Sequence, residues 1–356
     1  MVTERYTYRN GMVDIWRFVF CLLIMAHHMY HIGIERIYPF QSAWIYVEFF
    51  FILSGYFTGK HFWGGNTSTH KAAKSSMVYT IKKFKNVLPY STIIIFGEYL
   101  LGNICFRPGS WKNFIESFEN MPYEMMMVSS SGLVEAKVVP IWYLSAMFLV
   151  FPIFCYLVQR YEQLFQYILS WFIPVIYYGR MGIVARAEWP HDLLRAFSCM
   201  CLGGFVYTIT EFMKEMKYTK LTKVILTLIE ICCFLLTIIL TERNSMHVKT
   251  IFLCLFLGIV ILFSDQSYTN KVHGKICGFF GRISLVIYLS HWGIGTLISC
   301  FLQGGSWRLK VFIYFVGSIL WSLFLYLLVD ICWRKLRCFI ILNCFCKNLK
   351  DVYRSG

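Results

Sequence analysis

Long apolar runs dominate this chain, and its polar positions fall mostly between them. Ten runs, near 12–32, 42–60, 88–105, 139–158, 164–179, 192–211, 222–241, 248–264, 278–300 and 311–333, approach or exceed the length of a membrane-crossing helix. Such a helix needs about 20 predominantly apolar residues. The pattern predicts an all-α, polytopic transmembrane bundle of about ten spans, forming a single membrane-embedded domain over 1–356 with no appended soluble domain. The fifth run, interrupted by Pro174, and the eighth are the shortest. The first run has no small-residue cleavage site after it, so it reads as a retained span.

Against this background the polar exceptions matter most. The first run, RNGMVDIWRFVFCLLIMAHHMYH, carries Arg17, His27 and His28. Charged or titratable groups at membrane depth are costly and mark function by default. Arg17 and His28 are eleven residues apart, three turns plus about 20°, which places both on one helix face with a rise of about 16 Å. The bland alternative is a snorkelling arginine and a packed histidine. In the second run, VEFFFILSGYF sets Glu48 among phenylalanines, followed by Ser54, Gly55 and Tyr56. A carboxylate there needs a cation or a proton. A short connection makes the first two spans antiparallel neighbours, so Arg17 and His28 are its expected partners. Gly55 allows a close backbone approach or a bend around a ligand.

Composition strengthens the membrane assignment: 58% hydrophobic, 19% aromatic, 15% charged, with mean hydropathy +0.57. The net charge of +15 does not point to nucleic acid, because Lys and Arg sit at span ends and in alternate loops. Their bias places the N- and C-termini in the cytoplasm. The cysteines lie mostly inside apolar runs without paired loop spacing, so neither a disulfide framework nor a zinc ribbon is expected. His27 and His31 lack a further ligand set, and the tail cysteines Cys338, Cys344 and Cys346 lack a Cys-x-x-Cys partner, so no metal site is expected.

Two connections stand out. Segment 61–87 ends in a basic stretch with Lys82, Lys83 and Lys85 just before Pro89. It is either a positive-inside anchor or a clamp for an anionic substrate. Segment 106–138 carries Trp111, Glu116, Glu119, Glu124 and Glu135, and is either a lid over an outward cavity or a plain loop. Trp142 and Tyr143 suit an interfacial belt or the wall of an acyl or sugar site. Tyr288, Ser290 and His291 make a second polar patch inside the ninth run. No Walker motif, Gly-rich nucleotide loop or Gly-x-Ser-x-Gly elbow is present, which weakens ATP-driven transport and soluble-type hydrolase readings.

Several of these stretches together resemble the integral-membrane acyltransferase 3 family, the O-antigen and exopolysaccharide O-acetyltransferases and their relatives. Arg17, ten residues and His28 match that family's opening motif. Glu48, Phe49 and Phe50 followed by Leu53-Ser54-Gly55-Tyr56 match its second-span motif, with Glu where Asp is usual. Ile141-Trp142-Tyr143-Leu144 echoes its WYL motif, and Ser284, Tyr288, Leu289 and His291 echo a late Ser-x-x-x-Tyr-Leu-x-His motif. One departure is visible. The family's pair of arginines, six and three residues before a Pro, corresponds here to Lys83 and Asn86, with Lys85 as a candidate replacement cation. Lysine is a point charge, not a bidentate fork.

The resemblance implies a membrane-bound O-acyltransferase of the bacterial cytoplasmic (inner) membrane. It implies acyl-CoA, most often acetyl-CoA, as co-substrate with no permanently bound cofactor, and a carbohydrate hydroxyl as acceptor. In that reading His28 is the base or acyl carrier, with Arg17 and Glu48 beside it. Lys82, Lys83 and Lys85 draw the donor phosphates. Ser54, Gly55, Tyr56, Trp142, Tyr143, Tyr288 and His291 shape the substrate path. The rival class is a non-enzymatic transporter or flippase for an anionic or glycan substrate, using the same intramembrane cations.

Overall fold

The computed structural model describes residues 10–34, 40–64, 67–106, 111–134, 136–182, 189–242 and 249–354. These residues form helices and turns, with no strand among them. Asn10 caps α1 (Gly11–His27) by accepting from the Met12 and Val13 amides at 3.0 and 3.2 Å, and a 3₁₀ turn, His28–Ile32, carries the chain out of it. There follow α2 (Tyr46–Phe62), α3 (Thr69–Phe106), the short α4 (Trp111–Glu116) and α5 (Met121–Met125), and α6 (Ile141–Arg160). Next α7 (Glu162–Leu164) leads through a π-helical turn, Phe165–Leu169, into α8 (Ser170–Met181). The chain ends with α9 (His191–Lys214), α10 (Lys220–Glu242), α11 (Thr250–Ser264), α12 (Lys275–Phe301) and α13 (Trp307–Arg354).

Among the described residues seven helices are long and apolar enough to cross a membrane. The three remaining runs read from sequence correspond to shorter helices. α2 has 17 residues and α11 has 15, and the run around Pro174 is split between α7, the π turn and α8. α3 departs most from the sequence reading. It begins at Thr69 and continues through Pro89 for 38 residues, so the basic stretch expected in a connection is helical. At about 100° per residue, Lys82 and Lys85 then share one exposed face of the helix, and Lys83 turns away from it.

Sequence neighbours pack together at α8–α9, α10–α11 and α12–α13, but the first two spans do not. α1 lies mainly along α12, and α2 lies mainly along α9, while α1 and α2 touch much less than either of those pairs. Two glycines explain the α2–α9 pairing. A Cβ on Gly55 would sit 2.0 Å from the Met200 carbonyl oxygen, and one on Gly203 would sit 1.9 Å from the Ile52 carbonyl oxygen. Each glycine therefore receives the backbone of the opposite helix, the small-residue contact that lets membrane helices approach closely. Gly203→Val is expected to force α2 and α9 apart and to lower stability by about 1–3 kcal/mol or more. Thermal unfolding of the detergent-solubilised variant reads this, and an unchanged midpoint would show that the interlock does not hold the two helices together.

The buried core is drawn from α1, α2, α6, α9, α11 and α12, while α10 and α13 are peripheral. Their outward faces carry exposed Leu228, Leu235, Leu236, Leu320, Phe324 and Leu327. Apolar side chains exposed along spanning helices suit lipid as the surrounding medium.

Candidate functional site: three cavities along the bundle

Three cavities follow one another from the end of the bundle where α1 begins, here the basal end, to the end where it stops, the distal end. The basal cavity, about 460 Å³, is lined by Asp14 and Arg17 of α1, Tyr56, Lys60 and His61 of α2, Tyr79 and Lys83 of α3, and Asp265. Its floor is built by hydrogen bonds. Tyr56 Oη donates to Asp265, and Asn10 Nδ2 donates to the other Asp265 oxygen at 2.9 Å. Arg17 Nη1 stands 3.5 Å from Asp14. On the opposite wall the His61 ring stacks on Tyr79 at 4.4 Å, and Lys83 Nζ lies 5.3 Å from the centre of the same ring. Arg17, Lys60 and Lys83 thus put three cationic side chains around one opening, a field that attracts anions.

A middle cavity of about 240 Å³ shares Arg17, Phe57 and Lys83 with the basal one and continues inward along Ser54, Asn86, Tyr143 and Met147. Ser54 Oγ donates to the Phe50 carbonyl at 2.8 Å, the local bond a mid-helix serine makes. Phe50, Tyr143 and Tyr288 then form an aromatic partition. Their ring centres are 5.6 Å apart for Tyr143–Tyr288, 6.2 Å for Phe50–Tyr143 and 6.3 Å for Phe50–Tyr288.

Beyond Tyr288 lies the distal cavity, about 420 Å³, lined by His27, His28, Tyr30, Trp44, Trp142 and Arg195, with Ala136 and Val139 at its edge. His28 Nδ1 is 3.3 Å from Tyr30 Oη. The His28 ring stacks on His291 at 5.2 Å and meets Trp292 edge-on at 5.4 Å. His291 is fully buried behind it, with Nδ1 3.2 Å from the Ile287 carbonyl. In the tautomer whose Nδ1–H donates to Tyr30 Oη, Nε2 carries the lone pair that a base or nucleophile needs.

Glu48 has a different partner from the one expected. It lies on the α2 face turned to α9, and there Arg195 grips it with both Nε and Nη2, the latter at 2.9 Å. Tyr178 Oη reaches the same carboxylate at 3.5 Å. Both members of the pair are buried. Trp142 and Trp44 flank the guanidinium, with ring centres 4.9 and 5.4 Å from Cζ. The expected Arg17 or His28 partnership fails because α2 packs on α9 rather than along α1. Arg195 could have been found from the sequence, since an arginine inside an apolar run is a functional hypothesis on its own.

The other candidates divide clearly. Lys83 lines both the basal and middle cavities, whereas Lys82 and Lys85 are exposed and line neither. Lys85 therefore does not replace the missing cation by position. Asn86 does stand where the resemblance placed it, three residues after Lys83 on the same helix face, and both side chains line the middle cavity. Tyr56, Ser54 and Tyr143 line the basal-to-middle path, and Trp142 and Tyr288 line the distal cavity. Gly55 faces α9 instead of a cavity. His291 lines none of the three cavities and meets the distal one only through its stack on His28. Arg17 and His28 open into different cavities, because eleven residues of helix set them about 16 Å apart along α1, and Ile24 and His27 of α1 line the distal cavity with His28. His27 and His31 diverge: His27 Nδ1 pairs with the Gln41 carbonyl at 2.6 Å, and His31 stacks on Trp292 at 3.9 Å. Among the described residues no cluster of three or more His, Cys, Asp or Glu could hold a metal. The sequence reading also missed Lys60, His61, Tyr79 and Asp265 of the basal cavity, and Tyr30 and Trp44 of the distal one.

The segment 106–138 contributes a wall to the distal cavity. Buried Glu124 accepts from Tyr99 Oη at 2.7 Å and from the Lys137 and Val138 amides at 2.7 and 3.1 Å. This pins the chain to α3 just where Ala136 and Val139 meet the cavity. Glu116 and Glu119 point to solvent, while Glu135 lies outside the described residues, as does the side chain of Trp111.

A family model for the acyltransferase domain of the acyltransferase 3 type matches residues 10–327 of the 356. No curated protein and no solved structure matches the chain.

Proposed function

The chain belongs to the acyltransferase 3 family, a family of membrane acyltransferases, and from that premise we propose that it moves an acyl group from acyl-CoA to a carbohydrate hydroxyl across its own bundle. The observation that carries this reading is the succession of a cationic basal cavity, a narrow middle cavity and an aromatic distal cavity ending at His28. In this reading the Lys and Arg bias sets the basal end toward the cytoplasm, where acyl-CoA is made, and the family resemblance favours a bacterial cytoplasmic membrane as the host.

Arg17, Lys60 and Lys83 receive the phosphates of the donor. The flexible, thioester-bearing arm extends past Ser54 and Asn86 toward the partition formed by Phe50, Tyr143 and Tyr288. Movement of those rings brings the thioester carbonyl to His28. The acceptor enters the distal cavity, whose aromatic walls suit the apolar faces of a sugar ring. His28 Nε2 takes the proton of the acceptor hydroxyl as its oxygen attacks the thioester carbon. The carbon–sulfur bond breaks, and the coenzyme leaves as the thiol, so the proton lost by the hydroxyl balances the one gained by sulfur. An acetyl group is the donor the resemblance favours, and a surface polysaccharide or its lipid-linked precursor is the acceptor class.

The test is release of free coenzyme A thiol by the purified protein when acetyl-CoA and a surface-glycan acceptor are both supplied, with the acyl mass appearing on the glycan. Glycan relocation with no consumption of acyl-CoA would instead establish the transporter class. Within this reading Lys83→Ala is expected to raise the donor KM about ten- to a hundredfold, the loss of one charge-assisted hydrogen bond. Lys85→Ala is expected to leave the donor KM within about twofold, since an exposed charge is screened. Equal effects of the two would remove the phosphate role from Lys83.

A further inference from the structure

Away from the cavities just described, an apolar groove of about 300 Å³ runs between α3, α12 and α13. Ile94 and Leu101, Ile294 and Leu297, and Trp321 and Leu325 form its walls. Ile93, Leu100 and Trp321 of its lining are exposed, so its mouth is on the lipid-facing side. Two polar side chains break this surface, Ser290, whose hydroxyl pairs with that of Ser322 at 2.8 Å, and Glu98. Glu98 of α3 is 8% exposed and lines the groove. Among the described residues no hydrogen bond or ion pair is made by its carboxyl. The carboxyl is accommodated by the absence of a side chain on α12: a Cβ at Gly293 would lie 2.5 Å from Glu98 Oε1.

A buried polar group left unpaired costs about 1–3 kcal/mol, and more when charged. At membrane depth such a group is a functional site by default. We infer that this groove binds a single-chain neutral lipid whose hydroxyl group donates a hydrogen bond to Glu98. The chain fills the apolar walls. Ile93 to Leu101 on α3 gives the groove a length of about 12 Å at 1.5 Å per residue. A carboxyl in either protonation state keeps an oxygen able to accept from a hydroxyl. A phosphate would bring its own charge into an apolar slot whose lining residues include no cation. An ammonium would require two desolvated ions in an apolar slot, whose mutual attraction often fails to repay their dehydration. A hydroxyl needs neither.

Lipid binding in this groove does not depend on the acyl-transfer reading, and no activity assay is needed to test it. The full chain in nanodiscs is photolabelled with a monoacylglycerol and, separately, with a phosphatidylglycerol, each bearing a diazirine on its chain. Cross-links to peptides 93–101 and 290–297 are then counted by mass spectrometry. The monoacylglycerol is expected to label the groove of the unaltered protein. In Glu98→Leu, and in Gly293→Ala where the new methyl displaces the carboxyl, that labelling should fall about tenfold, the worth of one hydrogen bond to a carboxyl. Phosphatidylglycerol should label weakly and equally in all three proteins. Glu98→Leu should keep or raise thermal stability, because it removes an unpaired buried polar group. Equal monoacylglycerol labelling in all three proteins, or phosphatidylglycerol labelling as strong, would identify the occupant as an ordinary bilayer chain and overturn the inference. A loss of stability in Glu98→Leu would make Glu98 a structural residue and overturn it as well.

Discussion

His28→Ala should reduce acyl transfer by about a thousandfold while the protein still inserts and unfolds at an unchanged temperature. The magnitude is that of a positioned general base, which contributes about 10²–10⁴ in rate. At about 1.4 kcal/mol per tenfold it amounts to about 4 kcal/mol of transition-state stabilisation. The structural cost should be small, because His28 is only partly buried at the cavity edge and its hydrogen bond to Tyr30, at 3.3 Å, is long. The base and acyl-carrier roles separate in the same protein. Rapid quenching of the unaltered enzyme with labelled donor and no acceptor should leave no label on His28 if it acts as a base. Stoichiometric, hydroxylamine-labile label would make it the carrier. Retention of full activity by His28→Ala would move the reacting group elsewhere in the distal cavity, with His27 next in line.

Arg195→Ala should be more destabilising than His28→Ala or Lys83→Ala, at about 3–5 kcal/mol. It leaves the Glu48 carboxylate buried without its cation. It also takes the guanidinium from between Trp44 and Trp142, so the distal cavity should lose its shape and acceptor KM should rise. Glu48→Ala strands the opposite charge and should be nearly as severe. The double variant Glu48→Leu with Arg195→Met should recover much of the loss, since an apolar pair of similar volume often replaces a buried ion pair at little cost. Thermal unfolding of the four proteins forms a double-mutant cycle, and a coupling energy near zero would show that the pair is not the contact that joins α2 to α9.

Much of this protein is legible in its sequence. Arg17, His28 and Glu48 are conspicuous because they interrupt apolar runs, and the cost of a polar group in hydrocarbon makes each one a demand for a partner or a task. The demand is readable, but the partner is not. Glu48 plainly needs a cation, yet nothing local distinguishes Arg17, eleven residues from His28 in the first run, from Arg195 in the sixth. Likewise Lys82, Lys83 and Lys85 look alike as a basic stretch. Only the extension of α3 back to Thr69 puts Lys82 and Lys85 on one outward face and turns Lys83 to the cavities.

The chain by itself determined that it is helical, that it is embedded in a membrane, and which of its residues are too costly there to be idle. Backbone groups in lipid must be satisfied within a segment, so the length and polarity of each run fix its helix. The pairing of helices was decided only in three dimensions. Membrane helices are apolar on every side, so hydrophobic pattern does not say which face meets which neighbour. That choice rests on close fit, as where Gly55 and Gly203 admit each other's helix. It brings Arg195 to Glu48, sends Arg17 to the basal cavity, and leaves His28 at the distal one.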